Sequence, residues 1–381
     1  MSGHASAAGL IGECRRPGLP GIVPSERFSL AAVPELLLAE LTRSERGVVV
    51  LGVDGLAHRV ADRCWPSAEI SYLTSTVPST SATAWLTALT GCGPQVHGVP
   101  GMVYRVGGRL VYAVTGEGLA GEGAVPPDAV LPSPTVFERA AAAGARCVAL
   151  GRELDHLPGP WAPALLRGAA RAGGSTTRAL AEQAADPGLL AEAVIAEVAA
   201  VLAEPADAPV LAWAYVNLDD HVHANGYDDR ALAAMRRLDR AAGDWAAGGW
   251  TVVAHSDHGQ VPVRPDPALA RAWAAVDDPA ECELPAGGAG RFRWLHPRAG
   301  REDAVRARLA DALGDAAVVV HAPDLPLPPR LALPPDRIGA VIAIAASDRF
   351  PLPDPTLRYE HGGLDPDEML IPWAVWRPPR R

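Results

Sequence analysis

The chain contains no lysine: all 34 of its basic residues are arginine. A lysine nucleophile and a lysine phosphate clamp are therefore excluded. Positive charge is scarce overall, since 44 Asp and Glu set against those 34 leave a formal net charge of -10. That balance excludes a general nucleic-acid coat, which needs a basic stripe to neutralise phosphates. It leaves room for a small phosphate ester, because bound divalent cations invert the local field. Cysteine is sparse and scattered: Cys14, Cys64, Cys92, Cys147 and Cys282 form no C-x-x-C pair and are odd in number. Neither thiolate zinc nor a disulfide framework is expected, and the five read as buried, reduced thiols. No apolar run reaches the roughly 18–20 residues of a membrane span. The N-terminal stretch also lacks the basic start, continuous apolar segment and cleavage site of a signal peptide. The expectation is a soluble, cytoplasmic protein with no membrane partner.

Against these absences stands a pattern of apolar runs that end on acids. Thr251-Val252-Val253-Ala254-His255-Ser256 leads into Asp257-His258-Gly259, a buried-strand pattern closing on two metal-ligand side chains and a tight turn. Gly47 to Val53 delivers Asp54 in the same way, and Val210 to Leu218 delivers Asp219 and Asp220, with His223 four residues beyond Asp219. In an open parallel sheet the carboxyl ends of the strands share one edge, where ligands bind. Three strands thus bring their acids to one crevice.

The 49% hydrophobic content supplies a substantial core. The α/β alternation runs over most of the chain and predicts a three-layer α/β/α sandwich with a largely parallel sheet. Residues 1–25, rich in Gly and Pro, read as an extended arm. The catalytic core is expected over 26–260 and 338–381, with Ile338 to Ala345 as a returning buried strand. Pro-rich borders around 261–337 suggest a small inserted cap. Gly107-Gly108 reads as a two-residue hairpin beside the crevice. The stretch Pro78 to Gly91 reads as hydroxyl caps, a helix and a Gly stop, and a hydroxyl at a helix N-terminus sits where phosphate and alkoxide are favoured.

Zinc takes four ligands from His nitrogen and carboxylate oxygen, and a catalytic site leaves one position for substrate. Asp219, His223 and His361 could hold one ion; Asp54, Asp257, His258 and a nearby hydroxyl could hold a second. Two ions about 3.5–4 Å apart can clamp the attacking and leaving oxygens of a phosphoryl displacement.

The motifs S-D-H-G (256–259), D-D-H-V-H-A-N-G (219–226), P-S-T-S-A-T-A-W-L-T-A-L-T-G (78–91) followed by H-G-V-P-G (97–101), and the late H-G-G (361–363) occur in this order. Together they resemble the alkaline phosphatase superfamily, nearest its type I phosphodiesterase and nucleotide pyrophosphatase branch. The resemblance implies a two-metal hydrolase of phosphodiester or nucleotide pyrophosphate bonds, with zinc as the metal and manganese as the alternative. It implies Asp219, His223 and His361 at one ion, Asp54, Asp257 and His258 at the other, and a covalent Ser/Thr phospho-enzyme. Ser81, which also ligates metal in this scheme, is the first choice of nucleophile; Thr80 and Thr76 remain open. Such enzymes place a phosphoryl-binding Asn shortly after the H-G motif, where this chain has Met102. The absence of a C-x-P-x-R pattern argues against a sulfatase.

Blander readings stand beside these. An isolated strand-end Asp is more often a turn or helix cap than a ligand. His97 reads as a structural or supporting histidine, and Asp220 and His221 as supporting or solvated groups. Trp85, Trp213 and Trp250 read as core aromatics rather than base-stacking platforms. His4, His58, His156, His255, His296 and His321 have no motif support. The expected partner is a small phosphate-ester or nucleotide substrate. A phosphomonoesterase or phosphomutase with the same ligands, or a metal-binding descendant without activity, is the alternative.

Overall fold

The computed structural model describes residues 5–118, 129–150, 154, 157–173 and 186–379. His4 and His156 lie outside them. Fifteen strands are described: β1 (Gly47–Asp54), β2 (Glu69–Thr74), β3 (Val103–Val106), β4 (Arg109–Tyr112), β5 (Arg146–Leu150), β6 (Ala170–Ala172), β7 (Val210–Asn217), β8 (Thr251–Ser256), β9 (Val261–Pro262), β10 (Cys282–Ala289), β11 (Phe292–Pro297), β12 (Ala317–His321), β13 (Val341–Ala345), β14 (Tyr359–Glu360) and β15 (Leu370–Trp376).

Side-chain alternation along the central strands sets the layering. Val48 and Val50 of β1 enter one apolar core, while Val49, Leu51 and Val53 enter another, as the period of two requires. The first core packs under the helices Val33–Arg43 and Ser81–Thr90, and the second under His58–Cys64, Pro187–Ala203 and Asp229–Ala247. Between the two layers lies a seven-stranded sheet of order β2-β15-β8-β1-β7-β5-β6, in which β15 runs antiparallel to both neighbours. All eight residues of β1 are buried, as befits a parallel strand covered on both faces. The result is the expected α/β/α sandwich.

Register fixes where the acids arrive. Asp54 pairs with Asn217 and Val53 with Ser256, so Asp54, Asp219 and Asp257 leave three adjacent strands at the same edge. The turn after β1 has room only for glycine: Gly55 has φ +74°, and a Cβ there would lie 2.6 Å from Asp219 Oδ1.

Three local outcomes differ from the sequence reading. Ala7–Cys14, expected within an extended arm, is a helix capped by Ser6, and its Leu10 and Cys14 are buried in the main core. Tertiary burial outweighs the poor helix propensity of Gly9 and Gly12. Strand β13, expected to return to the core, instead joins a second sheet of order β12-β13-β11-β10-β3-β4. The hairpin β3–β4 joins it too, so this sheet draws strands from both sides of the 261–337 interval. A short Val/Ile run reports burial, not the identity of the strand beside it. The second sheet packs on the helices Pro267–Ala274 and Glu302–Leu313 around a third core that includes Trp273, Leu295 and Leu309.

Candidate active site

Asp54 is buried at the end of β1, and its two oxygens have different duties. Oδ2 accepts from Tyr215 Oη at 2.5 Å and Trp85 Nε1 at 2.9 Å, while Oδ1 accepts from Ser81 Oγ at 3.2 Å. Burial, reinforced by the nearby Asp219 carboxylate, pushes the Asp54 carboxyl up to about 7. Asp257 Oδ1 accepts from Gly55 N at 3.1 Å. Its Oδ2 is buried and accepts no hydrogen bond from the described residues. Burial, with Asp54 and Asp219 beside it, raises the Asp257 carboxyl well above the usual carboxylate range. His258 Nε2 lies 3.2 Å from Asp257 Oδ2 and 3.7 Å from Asp54 Oδ1.

Asp219 and His223 stand four residues apart on the helix Asp219–Asn225, hence on one face, with His223 Nε2 3.1 Å from Asp219 Oδ2. Gln260 Nε2 donates to Asp219 Oδ1 at 2.5 Å. Burial alone would raise Asp219, but His223, His361 and His258 outweigh it and hold the carboxyl below its usual range. Burial alone would likewise lower His223, but Asp219 and Glu360 reverse this and push the imidazole up to about 10. Burial, then His361, hold His258 well below the usual histidine range.

The ligand atoms fall into two groups, Asp219/His223/His361 and Asp54/Asp257/His258, each with its donor atoms within 4.8 Å of one another. Stacking of His258 on His361, with ring centroids 3.7 Å apart, joins the groups. The three histidines share one further arrangement. His223 Nδ1 bonds Tyr359 O at 2.8 Å, His361 Nδ1 bonds Ser79 O at 2.8 Å, and His258 Nδ1 bonds Gly259 O at 3.2 Å. A carbonyl only accepts, so each Nδ1 carries a proton and each Nε2 is the atom left for the centre, a lone pair on His258 and an N–H toward Asp219 on His223. Three buried or partly buried carboxylates, one of them with an unbonded oxygen, converge on these three Nε2 atoms. That arrangement is costly without a cation and fits divalent ions with nitrogen and oxygen ligands.

The three candidate hydroxyls separate cleanly. Ser81 Oγ sits 3.0 Å from His258 Nε2 and 3.2 Å from Asp54 Oδ1, at the first residue of its helix. Thr76 Oγ1 is spent on Pro78 O at 2.8 Å, and Thr80 Oγ1 is buried without a partner. Asp220 takes a bond from Asn217, and His221 bonds Asp228. His97 is fully buried between Thr87 Oγ1 and Val99 N, and burial lowers it to about 3. Met102 packs against the main core, Tyr104 Oη donates to Ala129 O, and Arg105 pairs with Glu283. Trp213 and Trp250 are core aromatics, and so is Trp85 apart from its bond to Asp54.

Several supporting residues escaped the sequence reading: Tyr215, Gln260, and Tyr227, whose hydroxyl donates to Gly55 O and accepts from Ala57 N and Gln260 N. One signal for Tyr215 existed. Leu211, Trp213 and Tyr215 share the face of β7 that enters the same core as Trp85, which is the face on which Asp54 falls in β1. Tyr215→Phe removes one of two donors to Asp54 Oδ2, and we expect activity to fall by roughly 10–100-fold, the range for losing a group that orients a ligand. Steady-state kinetics together with metal titration check this, and unchanged metal affinity and turnover would show that the bond orients nothing.

The sequence pattern of type I phosphodiesterase / nucleotide pyrophosphatase matches residues 48–363, most of the chain. The chain belongs to this family. It is thus a phosphoric ester hydrolase of the alkaline phosphatase superfamily, and its two Asp/His groups mark it as metal-dependent. Its fold is that of phosphonoacetate hydrolase from Sinorhizobium meliloti 1021 (19% identity, TM-score 0.63, covering 89% of this chain and 91% of that one). It is likewise that of murine ectonucleotide pyrophosphatase/phosphodiesterase 5 (15% identity, TM-score 0.59, covering 88% of each chain). An inactive form of the murine protein has been solved in complex with AMP. No curated protein sequence matches the chain. As a type I phosphodiesterase family member it has, among the described residues, no helix long and apolar enough to cross a membrane.

Proposed function

We propose that the chain hydrolyses phosphodiester or nucleotide pyrophosphate bonds of a small substrate through a phospho-enzyme formed on Ser81. The observation that carries this reading is the position of Ser81 Oγ, within 3.2 Å of a donor atom from Asp54 and from His258. Two divalent cations, zinc by the donor set and manganese as the alternative, would be held by Asp219, His223 and His361 and by Asp54, Asp257 and His258, supplying positive charge to the entering and leaving oxygens.

The protein's own groups account for the remainder. Ser81 opens a helix whose ladder begins with Thr83 N and Ala84 N, both on Thr80 O, so the positive end of the helix dipole points at the hydroxyl and at the phosphoryl group it attacks. Asp54 Oδ1 and His258 Nε2 are both acceptors in reach of the hydroxyl proton, while Tyr215 and Trp85 hold the other Asp54 oxygen still. Ser81 Oγ bonds phosphorus as the bond to the leaving oxygen breaks. Water then hydrolyses the phosphoseryl ester and restores the hydroxyl. Net negative charge elsewhere on the chain leaves phosphate recognition to this centre.

The test is hydrolysis of bis-p-nitrophenyl phosphate and p-nitrophenyl phosphate, with and without chelator, alongside metal analysis. Chelator-sensitive preference for the diester is expected. Monoester preference would move the chain to the phosphomonoesterase or phosphomutase reading. Adding phosphonoacetate to the panel checks the substrate named for the bacterial fold neighbour.

A further inference from the structure

Away from the metal centre, the second sheet carries a cavity of about 620 Å³, within the range of small-molecule sites. Its floor includes His296 on β11, which is 2% exposed and has no hydrogen-bond partner on either ring nitrogen among the described residues. A buried imidazole with both nitrogens unsatisfied is costly, and a ligand is one means of satisfying it. Strand β10 shifts register on both sides of Leu284, the residue paired with His296. Such irregularities gather where a strand re-aims side chains. The walls are mostly apolar, with Leu325, Leu327, Leu333 and Ile338 among them.

The charges at the rim select against an anion. Arg105 is engaged by Glu283 at 2.9 Å and by Asp336 O at 3.0 Å, and Glu302 adds a further carboxylate. An anion would meet two carboxylates and a guanidinium already paired, and a cation would have to leave water for walls that are mostly apolar. Burial, then Arg105, lower His296 to about 4, so the ring is neutral at physiological pH and presents one N–H and one lone pair. At about 3.3 Å per residue, His296 lies about 17 Å along β11 from Arg291, whose N–H donates to His361 O. The cavity is therefore separate from the site of hydrolysis.

We propose that this cavity is a second binding site, taking a neutral, largely apolar small molecule whose polar edge offers a hydrogen-bond acceptor and donor to His296, as a carboxamide does. The test uses the metal-loaded protein and a ligand-observed NMR titration with benzamide, benzoate and benzylammonium. Benzamide is expected to bind saturably and at least ~10-fold more tightly than either ion. His296→Phe, which keeps the ring and removes both nitrogens, and Ala332→Trp, which fills the cavity from its wall, are each expected to weaken benzamide at least ~10-fold, about the worth of one neutral hydrogen bond. Diester hydrolysis in Ala332→Trp serves as the control for folding and should match that of the parent. Absence of saturable benzamide binding, preference for either ion, or binding unchanged in both variants would overturn the proposal.

Discussion

Asp257→Asn is expected to leave the protein with one tightly held metal ion in place of two and to lower turnover by roughly 10³-fold or more. A ligand carboxylate supplies charge that several kcal/mol of transition-state stabilisation depend on, and each ~1.4 kcal/mol is a factor of ten. The same change is expected to stabilise the protein in chelator. Asp257 Oδ2 is buried without a hydrogen bond, with Asp54 and Asp219 as like-charged neighbours. An amide there removes the repulsion, and its NH₂ can donate to His258 Nε2, 3.2 Å away, whose proton already sits on Nδ1. Thermal unfolding with and without zinc separates the two effects: the variant should melt higher than the parent in chelator and gain less on metal addition. Full metal content and full activity in the variant would remove Asp257 from the centre.

The metal-stripped parent should show the matching pH dependence. Asp54 moves from an ordinary 3.8 when unfolded to about 7 when folded, chiefly through burial. A raised carboxyl contributes stability that is complete below the unfolded value and is lost as pH rises through the folded one. Asp257 shifts in the same direction. In chelator, then, these two carboxyls lower the melting temperature between about pH 4 and pH 7, while the buried, neutral His97, His258 and His296 raise it as pH climbs toward 6.5; the carboxyl part is read as the difference in slope between the parent and Asp257→Asn. The raised His223 adds a later loss, present below 6.5 and gone as pH climbs through about 10. Bound cations would hold these carboxylates ionised, so the metal-loaded protein should lack the carboxyl part of that slope.

What the sequence showed and what it hid follow from how each residue reaches the site. Asp54, Asp219 and Asp257 were legible because a β-branched run ending on an acid is a local pattern, and parallel strands bring their ends to one edge. His223 was legible from its spacing on a helix, and His258 by its place next to Asp257. Gln260, Tyr227 and the carbonyls of Ser79 and Tyr359 were not, since each acts through a contact that crosses between distant segments. Tyr215 lies between these cases, visible by parity once the register of β7 on β1 is known. The same limit explains the second sheet: β13 and the hairpin β3–β4 announce themselves as strands, but their partners are set by packing between separate segments, Val103 of β3 on Gly288 of β10 and Ile344 of β13 on Phe292 of β11.

Ser81→Ala should abolish turnover while keeping the metal content of the parent. Its oxygen lies within hydrogen-bond distance of both Asp54 and His258, and the substitution deletes the proposed attacking atom without deleting any of the candidate ligand carboxylates or imidazoles. Loss of a nucleophile leaves only the electrostatic part of catalysis, and the expected fall is at least ~10³–10⁴-fold. Thr76→Ala and Thr80→Ala should retain most activity, because Thr76 Oγ1 is committed to Pro78 O and Thr80 Oγ1 is sealed in the protein. Thr80→Val carries a second expectation. The Thr80 hydroxyl is buried beside the helix start with no partner among the described residues, so exchanging it for a methyl group should cost little stability or even add some. Rapid quench with bis-p-nitrophenyl phosphate, followed by intact mass, should find one added p-nitrophenylphosphoryl group on the parent and on both Thr→Ala variants, and none on Ser81→Ala. A phosphoryl group trapped on Thr76 or Thr80 would move the nucleophile. If the serine variant turned over freely, direct attack by water would replace the covalent mechanism at an otherwise unchanged metal centre.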